Sequence, residues 1–148
     1  MTDFFEVRYH EDVDGLRYWF GPYDVVRKRL RSQLQGELRH VGVYIAQHGT
    51  GFRVGEGEIP KRLDRHRSPL KNPKIKGDAQ LFVCLGPPAI FSKSQALVIE
   101  NYLAKKLLGE GRIYGRAIAS SASGLDDTGV AHAEDIAVRI YEHFNELV

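Results

Sequence analysis

Between residues 41 and 55 the chain reads VGVYIAQHGTGFRVG, two alternating runs joined by a glycine-rich turn. Val41, Val43 and Ile45 alternate with Gly42, Tyr44 and Ala46, the period-two pattern of a half-buried strand. Phe52 and Val54 alternate with Arg53 and Gly55 in the same way. His48-Gly49-Thr50-Gly51 supplies the turn, its glycines free to take positive φ. A turn at 48–51 predicts Ile45 opposite Val54, Ala46 opposite Arg53 and Tyr44 opposite Gly55. One face then carries Val43, Ile45, Phe52 and Val54 as core. The other carries Tyr44 and Arg53, with a glycine leaving space beside the phenol. A slip of one residue would invert every side chain, so the apolar pattern itself sets the register.

The segment after the hairpin is basic. Pro60 suits the first position of a helix, where no amide donor is needed. Arg62 and His66 then fall at i and i+4 on one face, and Ser68-Pro69 ends the helix. Tyr44, Arg53, Arg62 and His66 are therefore expected beside one concave surface. Lys61, Arg62, Arg65, Arg67, Lys71, Lys74 and Lys76 face only Asp64 in their segment, on a chain of net charge +2. By charge alone this stretch reads equally well as a phosphate footprint or as a solvated loop.

The flanking segments supply a core. Residues 4–9 and 16–20 read as strands, with Asp12-Val13-Asp14-Gly15 turning between them. Pro22 opens a helix whose Val26, Leu30 and Leu34 repeat on one side. Residues 79–85, AQLFVCL, form an apolar run expected of a strand covered on both faces. Ser92-Lys93-Ser94-Gln95 is a capping box that starts a helix to about Leu108, with Ala96, Ile99, Leu103 and Leu107 as its buried stripe. Glu100 sits immediately beside that stripe, as a boundary residue in solvent or as a group facing a site. Residues 109–131 suggest no element. A last helix is expected over about 132–147, with its apolar face in the core.

One cysteine, Cys84, excludes an internal disulfide and a thiolate metal cage, and its place in an apolar run suggests buried packing. No apolar run approaches a membrane span and the N-terminus lacks the pattern of a signal peptide. A soluble, cytoplasmic chain with no membrane partner is the expectation, as one domain over residues 1–148.

Taken in order, the pieces resemble the GIY-YIG nuclease superfamily. Gly42-Val43-Tyr44 matches its first motif, and Arg53-Val54-Gly55 falls at the place of the second, with arginine where that motif begins with tyrosine. Arg62 and His66 match the arginine of the following helix and the residue one turn later, and Glu100 the glutamate of a later helix. The likeness spans residues 40–108. It implies an α+β fold, a small mixed β-sheet flanked by helices, with an N-terminal hairpin and helix and a C-terminal helix added. It implies metal-dependent hydrolysis of a nucleic-acid phosphodiester, DNA being the expected partner. Glu100 would hold Mg²⁺, Arg62 would clamp the phosphate, Tyr44 would act on the attacking water and His66 would carry protons. Arg53, Lys61, Arg65, Arg67, Lys71, Lys74 and Lys76 would bind the nucleic-acid backbone. Two other readings stay open: a nucleic-acid-binding module without turnover, and an unrelated protein-interaction domain. Tyr44 as an ordinary strand residue and Glu100 as the partner of Lys93 or Lys106 belong to them.

Overall fold

The computed structural model describes residues 7–34, 41–48, 51–59, 80–87, 91–109 and 125–147. Five strands, β1 (Arg8–Glu11), β2 (Arg17–Pro22), β3 (Val41–His48), β4 (Gly51–Glu58) and β5 (Gln80–Leu85), form one sheet in the order β1-β2-β5-β3-β4. Every pairing among the described residues is antiparallel. Helices α1 (Tyr23–Gln33), α2 (Lys93–Gly109) and α3 (Asp127–Leu147) flank it. This is the expected α+β architecture, a small sheet between helices.

The central strand explains the layering. β5 is buried from Leu81 to Leu85, and its side chains alternate between two cores. Leu81, Val83 and Leu85 join Trp19, Tyr44 and Ala46 beneath Tyr23, Val26 and Leu30 of α1 and Leu34 just after it. Phe82 and Cys84 join Tyr18, Val43 and Ile45 on the opposite face. There α2 contributes Ala96, Ile99, Leu103 and Leu107, and α3 contributes Ala133, Ile136, Ala137, Ile140 and Phe144. A strand covered on both faces has no polar side, as its unbroken apolar run required.

The local signals act as their chemistry predicts. At the start of α2 the Ser92 amide donates to Gln95 Oε1 (2.8 Å) and the Gln95 amide to Ser92 Oγ (3.3 Å), a reciprocal cap. In the first turn Asp12 Oδ1 accepts from the amides of Asp14 and Leu16, and Gly15 takes φ +88°, a conformation suited to glycine.

Two boundaries differ from expectation. The first strand continues to Glu11, because Tyr9, His10 and Glu11 pair with Trp19, Tyr18 and Arg17. It is an exposed edge strand, so apolar alternation cannot mark its extent. The last helix begins at Asp127, five residues before its expected start. Asp126 Oδ1 accepts the Gly129 amide at 2.8 Å and so satisfies a donor of the first turn. Among the described residues no helix is long and apolar enough to cross a membrane.

Candidate functional site

The β3–β4 hairpin has the expected register: Tyr44 opposite Gly55, Ile45 opposite Val54 and Ala46 opposite Arg53. Gly42 pairs with both Gly57 and Leu85, and a methyl there would meet Leu85 Cδ2 and the Cys84 carbonyl oxygen. The glycine of Gly42-Val43-Tyr44 thus lets β3 and β5 pack closely. Gly55 has a similar task. A Cβ at Gly55 would fall within contact radii of Tyr44 Cζ and hydroxyl, and 2.6 Å from Cε1. The far end of the phenol therefore lies over β4, pointing to the edge of the sheet. It does not stand in water: Tyr44 is 1% exposed. The ring belongs to the core beneath α1, with Ala46, Ile59 and Val83.

Glu100 comes from the other layer. It sits on α2 four residues after Ala96 and four before Ala104, both buried, and is itself half-buried. Seven residues earlier, two turns along the same stripe, Lys93 reaches across to β4 and places its ammonium 2.7 Å from each carboxylate oxygen of Glu56. That flank of α2 therefore faces the β4 edge. The Glu56 side chain is 9% exposed and Lys93 62%, so the pair holds a nearly buried carboxylate from its solvent side. Lys93 is thus engaged by Glu56, and Lys106 lies 5.8 Å from the Tyr141 ring.

The two described members of the expected catalytic set, Tyr44 and Glu100, belong to opposite layers of the sheet. Tyr44 leans toward the β4 edge from the α1 side, and Glu100 lies on the flank of α2 whose Lys93 reaches that strand from the other side. Any meeting between them has to occur around that edge. Arg62, His66, Lys61, Arg65, Arg67, Lys71, Lys74 and Lys76 lie outside the described residues, as does the side chain of Arg53. Among the described residues no group of three or more His, Cys, Asp or Glu is placed to hold a metal ion. Glu56 is unsuited to join Glu100 as a ligand, since both its oxygens are bound by Lys93. A single carboxylate would suffice only for a Mg²⁺ that keeps most of its waters, and Glu100 would be that carboxylate.

Sequence reading missed Glu56, although a glutamate two residues beyond Val54 on one strand face was its signal. Asn101, next to Glu100 on α2, has a buried Oδ1 with no hydrogen-bond partner among the described residues. A cluster of His10, Tyr18 and His143 was invisible because its members are far apart along the chain. Compared with family models, curated proteins and solved structures, the chain gives no match.

Proposed function

We propose that the chain is a metal-dependent endonuclease acting on a nucleic-acid phosphodiester, DNA being the first substrate to test. One observation carries the reading. The phenol of Tyr44 lies over Gly55 toward the β4 edge, and the α2 flank bearing Glu100 faces the same edge. In this reading the substrate phosphate sits at that edge. Arg62 presents its planar donor fork to the phosphate oxygens, Tyr44 orients the attacking water and His66 moves protons. Glu100 holds Mg²⁺, which supplies charge relief at the phosphorus when bound. The basic residues from Lys61 to Lys76, together with Arg53, contact the backbone and carry no sequence information.

The burial of Tyr44 favours a second reading, a nucleic-acid-binding domain without turnover, in which the tyrosine is packing and Arg53 has replaced a catalytic hydroxyl.

Plasmid nicking with Mg²⁺ separates the two. The hydrolase reading expects nicking by wild type, loss in Glu100→Ala, and loss in Tyr44→Phe with the fold retained. Salt-sensitive DNA binding without nicking gives the second reading. Equal nicking by wild type and Glu100→Ala overturns the hydrolase reading, and no binding at low salt overturns both.

A further inference from the structure

The N-terminal hairpin and the last helix meet at a cluster that the proposed chemistry does not use. His10 of β1 and His143 of α3 stack with ring centroids 5.1 Å apart and planes 26° apart. The Tyr18 ring lies 4.2 Å from His143, with Phe82 and Phe144 behind it. Beside the stack, Tyr18 donates to Asp12 Oδ2 at 3.3 Å, and Arg139 pairs with Asp12 (3.6 Å) and, closely, with Asp14. Nearly parallel imidazoles direct their lone pairs side by side and not at a common point, so the pair does not form a chelating site. What two such rings do share is sensitivity to protons, because imidazoles as a class titrate near neutrality.

We propose that His10 and His143 form a pH-sensitive latch that holds α3 against the N-terminal hairpin while at most one of the two rings is charged. The surroundings accept one proton. Asp12 faces the cluster from the turn, and Glu146 Oε2 lies 3.9 Å from His143 Nδ1. They resist a second. Arg139 shares the helix face of His143 one turn earlier, Arg8 shares the strand face of His10, and the two imidazolium ions would themselves be in ring contact. From β5 the cluster meets Phe82 and the buried thiol of Cys84. The electrostatics agree in direction: burial first, and then the charge of His10, hold His143 below the ordinary histidine range. A base depressed in this way binds fewer protons folded than unfolded. Its stabilisation is full above the unfolded pKa, about 6.5, and is lost as pH falls through the lower folded value.

The test compares wild type with His10→Phe, which keeps a stacking ring and removes its proton, and with His10→Gln in case phenylalanine packs badly. Unfolding equilibria are measured at about pH 7.5 and about pH 5, and the His143 ring is titrated by NMR. Carboxylate losses are common to all three proteins and cancel. If the latch exists, acidification shifts the wild-type equilibrium toward unfolding by about threefold more than it shifts either substituted protein. His143 also titrates at higher pH in both His10→Phe and His10→Gln. Superimposable acid losses, or an unchanged His143 titration, overturn it.

Discussion

Replacing Gly55 by alanine tests the packing on which the hairpin depends. The added Cβ would collide with Tyr44 Cζ and hydroxyl and sit 2.6 Å from Cε1. A long flexible side chain would swing aside, but a phenol is rigid, and this one is 1% exposed. Its ring is enclosed in the core that includes Ala46, Ile59 and Val83. Forcing a methyl into such a site costs about 1–3 kcal/mol, and the closed surroundings put Gly55→Ala in the upper half, about 2–3 kcal/mol. For a chain of this size that lowers the melting temperature by about 4–12 °C. Urea unfolding followed by the fluorescence of Trp19, the one tryptophan and itself buried, measures it directly. Tyr44→Ala removes the ring at a cost of about 3–5 kcal/mol. In that background the extra methyl meets no ring, so a double-mutant cycle returns a coupling of about 2 kcal/mol. A Gly55→Ala protein within about 0.5 kcal/mol of wild type, or an equal cost in both backgrounds, would refute the placement of the ring over β4.

Two further outcomes rest on single contacts. Lys93→Met strands the nearly buried carboxylate of Glu56 and should cost about 1–3 kcal/mol, whereas Glu56→Gln leaves an exposed ammonium to water and should cost less; chemical denaturation of the two proteins gives the order. Burial holds the Cys84 thiol well above the usual range, so a thiol reagent should modify the folded protein only as fast as it opens, with a rate that climbs with added urea.

The parts of the fold that were legible in the sequence are those where one short stretch carries its own constraint. The β3–β4 register follows from Val43, Ile45 and Val54, since one slip would turn all three to the opposite face. The capping box at Ser92 and Gln95 needs only four residues, and the apolar run of β5 announces its central place. The edge strand was less legible, because Tyr9, His10 and Glu11 owe their conformation to pairing with β2. So was the start of α3, where Asp126 caps a turn containing Gly129, a poor helix former. At the candidate site the sequence placed Tyr44 on the correct strand face but not in the correct environment. Alternation tells which side of a sheet a residue takes. It does not tell whether a helix or water covers that side, which depends on α1 from elsewhere in the chain.

That limit bears on how the hairpin glycines are to be understood. A tyrosine next to an edge strand ordinarily has room to project past the edge into solvent. Here Gly55 lets the ring lie flat across β4 instead, and Gly42 lets β5 close on the other side. The glycine–tyrosine pattern is therefore a packing rule first, whatever chemistry is laid over it. Tyr44→Phe separates the two demands, because it keeps the ring over Gly55 and removes only the hydroxyl. Removing the hydroxyl alone should change stability by no more than about 1.5 kcal/mol, well within what a domain of this size can spare. If nicking disappears in a Tyr44→Phe protein that melts within a few degrees of wild type, the hydroxyl serves the reaction. If nicking survives there unchanged, the pattern is explained by packing alone and Tyr44 leaves the catalytic set.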